Sequence, residues 1–189
     1  MREKIAVVIG HRASKPGYRS AYLDQYEYQF NAELTKELLP VLENDYQVVV
    51  YFKDGLSTPQ VYDEIQKWNP RLALELHFNA HQDASAYGTE TLCMQGWGYY
   101  ANIMQNALAA ALKRDRKGDR GIKILRGGGR GFENVSQLDC ATLLLEPFFG
   151  SNPDDCALFE SRRTEVFNAI LSALSAICRN PIPPDLQPV

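Results

Sequence analysis

Histidine is scarce in this chain: there are three in 189 residues, and two of them fall within LALELHFNAH at 72–81. Cysteine is nearly as sparse. Cys93, Cys140, Cys156 and Cys178 lie far apart with no CxxC pair, which excludes a cysteine zinc cage or a disulfide framework and predicts reduced, mostly buried thiols. No apolar run approaches the roughly 18–20 residues that cross a bilayer, so no membrane insertion is expected. A net charge of −3 supplies no general attraction for nucleic acid or anionic lipid. The run IAVVI near the N-terminus is too short for a secretory h-region and leads into a strand pattern. The expectation is synthesis in the cytoplasm without an export signal. Internal repeats and composition breaks are also lacking, which argues against a multi-domain array.

What is present is a chain of single-domain size, 45% hydrophobic and 23% charged, enough to bury a core. We read residues 1–180 as a single domain and 181–189, PIPPDLQPV, as a proline-rich tail. Strand and helix patterns alternate. Strands are predicted at Lys4–Ile9, Tyr46–Phe52, Leu72–Leu76, Thr89–Met94, Ile122–Leu125 and Ala141–Leu145. Helices are predicted at Ala21–Glu43, at Thr58–Trp68 with Thr58 as N-cap, and at Tyr99–Arg114, Asp154–Phe159 and Arg162–Arg179. This order predicts a three-layer α/β/α sandwich with a mixed, mostly parallel sheet of about six strands.

Three apolar runs end on a residue that binds metals or moves protons: KIAVVIG at His11, LALEL at His77 and ATLLL at Glu146. Sites in open α/β sheets form beyond the carboxyl ends of the strands, so parallel neighbours would bring these side chains to one edge. Glu27 shares the apolar stripe of the first helix with Leu23 and Phe30. Two readings of it stand: a buried carboxylate that requires a partner, or a stripe-edge residue reaching solvent. Asn31, one turn on, shares its face. Two histidines and a glutamate are an established catalytic zinc set. His81 stands four residues after His77, but HFNAH lacks the glutamate of HExxH and follows a strand, so it reads as a loop residue near the site.

Four patches in order resemble the zinc-dependent N-acetylmuramoyl-L-alanine amidases, in the branch that includes cell-division and sporulation amidases and many phage endolysins. They are IGH at 9–11, EYQFN at 27–31, LELHFNA at 74–80 and LLLEPFFGSNPDD at 143–155. GTETL at 88–92 and RGIKIL at 120–125 resemble weaker signatures of the same family. The resemblance implies one Zn2+ held by His11, Glu27 and His77, with Glu146 as the catalytic carboxylate. It implies hydrolysis of the amide between N-acetylmuramic acid and L-alanine of peptidoglycan. Asn31, Asn79, His81, Glu90 and Arg120 become candidates for orienting the site or binding substrate. A monomer acting on the wall after release, by phage lysis or non-classical export, is the corresponding expectation.

Departures from the family pattern bear on substrate fit. RASKPGYRS follows His11 without the usual Gly-Gly, Glu75 replaces a small residue two positions before His77, and Pro147 and Phe148 stand where a small residue and glycine are usual. LRGGGRGF at 125–132 lacks the Lys-Ser/Thr of a phosphate loop and reads as a basic loop at the cleft, with Arg126 and Arg130 facing anionic polymer. GWGYY at 96–100 reads as helix-start packing rather than a sugar platform. Two rival readings remain: another zinc amide hydrolase, either a carboxypeptidase or an N-acyl amino acid hydrolase, and a non-catalytic wall-binding relative.

Overall fold

The computed structural model describes residues 2–181, so the tail from 182 onward lies outside the described residues. Its elements run β1 (Lys4–Ile9), β2 (Arg19–Ser20), β3 (Gln25–Tyr26), α1 (Glu27–Glu43), β4 (Gln47–Tyr51), α2 (Thr58–Trp68) and β5 (Leu72–Leu76). They continue with β6 (Thr89–Met94), α3 (Gly98–Ala111), β7 (Asp119–Leu125), α4 (Phe132–Val135), β8 (Ala141–Glu146), α5 (Pro153–Ser161) and α6 (Arg163–Arg179).

Six strands form one sheet in the order β4-β1-β5-β8-β6-β7. Every pair is parallel except β6 with β8. The expected mixed, mostly parallel α/β sandwich is what the chain forms. Side chains alternate between sheet faces. Ile5, Val7, Leu72, Leu74, Leu76, Leu143 and Leu145 join Phe30, Leu38, Met104 and Ile170 of the α1, α3 and α6 layer in the main core. Ala6, Val8 and Ala73 face Tyr62 and Ile65 of α2, and Leu92 and Leu144 face Val135 of α4. This parity decides the site. The residues that follow in the second register, Glu75, His77 and Glu146, emerge on the α2/α4 side at the carboxyl ends of the strands.

The first helix begins six residues later than the sequence pattern predicts. Residues 19–26 instead make the small antiparallel ribbon of β2 and β3, and Asp24 takes a left-handed φ of 53° in its turn. Leu23 packs against the core from that turn, which mimics a helical stripe. Gln29 closes the helix start by accepting from the Tyr26 N–H at 3.2 Å. Ser57, not Thr58, caps α2: its hydroxyl accepts from the Gln60 N–H while the Gln60 side chain accepts from the Ser57 N–H at 2.8 Å. The four-residue α4 and the ribbon are too short to leave a periodic signal.

All four cysteines are free, Cys93 and Cys156 buried and the other two half-buried. Tyr100 is buried and stacks on Trp97 with ring centroids 6.1 Å apart, so these two rings of GWGYY pack at the start of α3, while Tyr99 is exposed. No helix among the described residues is long and apolar enough to cross a membrane.

Candidate active site

His11 follows β1 in a left-handed turn, φ 64°, a conformation uncommon for a side-chain-bearing residue and frequent at functional sites. The turn is held where the Gly10 N–H donates to the Leu76 carbonyl at 3.0 Å. His77 leaves β5 on the next strand. Glu27 is the first residue of α1, where a carboxylate also meets the positive end of the helix dipole.

These three residues meet. Glu27 Oε2 lies 2.9 Å from His11 Nε2, and Glu27 Oε1 lies 2.7 Å from His77 Nδ1. The imidazole centroids are 5.0 Å apart. One donor atom from each residue falls within 4.8 Å of the others. Glu27 is buried, which settles the two sequence readings in favour of the partnered carboxylate. It also accepts from the Phe78 N–H at 3.1 Å. Burial pushes its pKa up, but the hydrogen bonds from His11 and His77 outweigh that and bring it down to about 2. Burial alone would lower the His77 pKa, yet the carboxylates of Glu27 and Glu75 raise it to about 9.

The donor set fits a divalent ion. Two imidazole nitrogens and one carboxylate are the ligands a catalytic zinc takes. The backbone at Gly17 (φ 80°) presses so close that a Cβ there would stand 2.6 Å from His11 Cδ2 and 2.8 Å from Glu27 Oε2. The cluster opens into a cleft of about 460 Å³ that Arg12, Lys15, Arg130 and Glu146 also line. A larger hollow of about 660 Å³ lies over Tyr87, Lys113 and Pro153 and holds none of the candidate residues. Size alone therefore does not mark the site; the chemistry does.

Glu146 ends β8 directly opposite Glu90 of β6 in the antiparallel register. Like charges in that position repel. Arg130, from the glycine-rich loop, lies across both. Its Nη1 and Nη2 donate to the two Glu146 oxygens at 2.9 and 2.8 Å, and Nη2 also donates to Glu90 Oε1 at 2.6 Å. Arg120 Nε donates to Glu90 Oε2 at 2.8 Å. Asn79 Nδ2 donates to Glu90 Oε1 at 2.8 Å, and Asn79 Oδ1 accepts from Arg130 at 3.0 Å. Burial raises the Glu146 pKa to about 7; the Arg130 charge opposes the rise and Glu90 adds to it. For Glu90, burial is outweighed by hydrogen bonds with Glu146 and Arg120, leaving it below its ordinary value.

The sequence-named residues thus divide. His11, Glu27, His77 and Glu146 share the cleft, and Glu90, Asn79 and Arg120 form the shell behind Glu146. Asn31 is buried one turn below Glu27, and its Nδ2 finds no partner among the described residues. His81 does not line the cleft. It is exposed on the loop beyond, its backbone N–H bonded to Ser151 Oγ at 3.0 Å and its Nδ1 accepting from the Asp83 N–H. Ala80 still lines the cleft, and the chain is exposed from His81 to Ser85. Arg130 is nearer the chemistry than a polymer-contacting loop arginine would be. Reading the sequence alone missed Lys53, Tyr62 and Asn134, which gather around Glu75; the signal was the unusual acid inside LALEL.

At its strand ends a mixed, mostly parallel α/β sheet presents a His–Glu–His cluster able to hold a divalent ion beside a buried carboxylate, the arrangement of a metal-dependent hydrolase. The N-acetylmuramoyl-L-alanine amidase family matches residues 5–176, and the chain belongs to it. It is an N-acetylmuramoyl-L-alanine amidase acting on peptidoglycan, in a family that is generally zinc-dependent.

Solved structures show the same fold. An N-acetylmuramoyl-L-alanine amidase from Clostridium difficile 630 is 21% identical with a TM-score of 0.81, over 95% of this chain and 98% of that one. The catalytic domain of CwlV, an amidase from Bacillus (Paenibacillus) polymyxa var. colistinus, is 23% identical with a TM-score of 0.77, over 93% and 98%. The catalytic domain of an endolysin targeting Clostridia difficile is 21% identical with a TM-score of 0.74, over 92% and 97%. Comparison with curated protein sequences gives no match.

Proposed function

We propose that His11, Glu27 and His77 hold one zinc ion and that Glu146 moves the proton as the muramyl–L-alanine amide is hydrolysed. The observation that carries this is the meeting of three donor atoms from three separate elements within 4.8 Å, in the cleft that Glu146 also lines. Held by these three residues, a zinc ion would supply Lewis acidity, which lowers the pKa of a water and polarises a carbonyl.

The protein's own groups do the rest. Glu146, with a pKa of about 7, takes a proton from the attacking water and returns it to the departing alanine nitrogen. Arg130 orients that carboxylate through two parallel hydrogen bonds and restrains its proton affinity. Glu90, held by Arg120 and Asn79, anchors Arg130 in turn. The cationic rim of Arg12 and Lys15 suits the carboxylates of a stem peptide.

The test combines metal content with digestion of purified peptidoglycan and mass identification of products. Bound zinc at one equivalent and stem peptides with a free L-alanine amino terminus support the reading. Release of single terminal amino acids would instead indicate a carboxypeptidase. Glu146→Gln should keep its zinc and lose about 10²–10⁴-fold in turnover; near-normal turnover removes Glu146 from the mechanism.

A further inference from the structure

Glu75 is fully buried in the middle of a sheet, on the strand that delivers His77. An ionised side chain there is costly unless it is paired and fully hydrogen-bonded. It is both. Lys53, itself buried, places Nζ 2.5 Å from Glu75 Oε1. The buried Tyr62 hydroxyl donates to Oε2, and Asn134 Nδ2 donates to Oε1. The remaining contact is His77 Nε2, 2.9 Å from Oε1.

His77 Nε2 also faces Asn134 Nδ2, but at 3.3 Å, so the shorter contact with the Glu75 oxygen sets the direction of that last bond. Lys53 has only donors to offer, and Tyr62 and Asn134 present an O–H and an N–H. A carboxylate receiving all three is an acceptor on both oxygens, so the imidazole nitrogen facing it carries a hydrogen. Nε2–H donates to Glu75, and Nδ1 is the nitrogen that turns toward Glu27. Parity in β5 makes the arrangement: Glu75 and His77 are two residues apart, on the same face, and the ring folds back over the carboxylate.

We propose that Glu75, clamped by Lys53, Tyr62 and Asn134, is a positioning residue that fixes the His77 ring with Nε2 protonated and presents Nδ1 as the metal-binding nitrogen. This rests on the zinc reading above and extends it to Glu75, an acid standing where a small residue is usual in the resembled family. A hydrogen bond from a ligand histidine to a carboxylate orients the ring and strengthens it as a donor, and losing it costs typically 10–100-fold in metal affinity. Tyr62 belongs to α2 and Lys53 follows β4, so the clamp ties the metal site to the layer behind the sheet.

The experiment compares wild type, Glu75→Gln and the double variant Lys53→Met with Glu75→Gln. Zinc dissociation constants come from competition with a chromogenic chelator, and unfolding midpoints are measured on the chelated proteins. Glu75→Gln leaves Lys53 buried without its counter-charge and should lose stability; the double variant removes both charges and should recover most of it. Both variants should bind zinc roughly 10–100-fold more weakly. In nitrogen-15 spectra of the zinc-loaded wild type, His77 should show a protonated Nε2 protected from exchange and a metal-bound Nδ1, and the double variant should lose that protection. A double variant with wild-type zinc affinity, or a wild type coordinating zinc through Nε2, overturns the role of Glu75 and leaves the amidase reading standing. A wild type that takes up no zinc overturns both.

Discussion

Arg130 straddles the carboxylate of Glu146, one guanidinium nitrogen on each oxygen at 2.9 and 2.8 Å. The contact brings a cation from a glycine-rich loop onto the proposed proton carrier. Gly131, which ends that loop with φ 80°, lets it pack closely: a Cβ there would meet Leu92 at 3.0 Å and Leu144 at 3.3 Å. Arg130 therefore sets both where Glu146 points and how readily it loses its proton.

Removing that cation has a signed consequence. Burial already lifts the Glu146 pKa to about 7, with Arg130 opposing the rise. Arg130→Ala should lift it further and move the acidic limb of the kcat/KM profile to higher pH. The guanidinium is more than half exposed, so the shift belongs at the low end for an opposite charge, about one unit. Rates on the acid side should drop roughly tenfold. A limb that stays in place would show that Glu146 is not the titrating base.

The metal-free protein should respond to pH through the cluster. His77 is raised from 6.5 to about 9, so its pairs with Glu27 and Glu75 stabilise the fold fully below pH 6.5 and are lost as pH rises through 9. Glu27 is lowered from 4.5 to about 2, so its contribution is present above pH 4.5 and lost as pH falls toward 2. Both contributions are intact between 4.5 and 6.5, and urea midpoints of the chelated protein should reflect it. Zinc affinity should strengthen between pH 6 and 9, because the His77 proton must leave first. A pH-independent affinity across that range contradicts the assignment of His77.

Gly10 sits where no side chain fits. A Cβ would press on the Leu76 carbonyl and lie 2.6 Å from His77 Cε1. Gly10→Ala should push the ring out of place and cost on the order of 10²-fold in kcat, the scale of a 1 Å misplacement. Far-ultraviolet circular dichroism should remain that of the folded protein. Retained activity would mean the ring tolerates displacement.

Phe148 stands where glycine is usual in the resembled family, and it is fully buried. Its ring centroid lies 4.5 Å from Phe159, 5.3 Å from Phe78 and 5.4 Å from Phe30. Phe148→Ala should destabilise by about 3–5 kcal/mol in denaturant titration, as for other buried phenylalanines. A loss below 1 kcal/mol would mean that the cluster closes over the gap.

The strands of the sheet were legible in the sequence because they are short, β-branched or aliphatic, and bounded by turn residues. Lys4–Ile9, Leu72–Leu76 and Thr89–Met94 stand as read. The ends of the runs KIAVVIG, LALEL and ATLLL marked His11, His77 and Glu146 as candidates. The start of α1 was misread because Leu23 packs on the core from a turn. Periodicity records which residues are buried and is silent on which backbone buries them.

By itself, the order of apolar runs determined the layered α/β architecture, and the residues ending three of those runs determined the chemistry available at its edge. Tertiary structure alone decided the rest. It swung His81 outward, set Glu90 opposite Glu146, drew Arg130 from its loop onto both, and closed Lys53, Tyr62 and Asn134 around Glu75. The reason is range: strand patterns are written in neighbouring residues, whereas a buried charge finds its partners across 13 to 59 positions of chain, only once the sheet has formed.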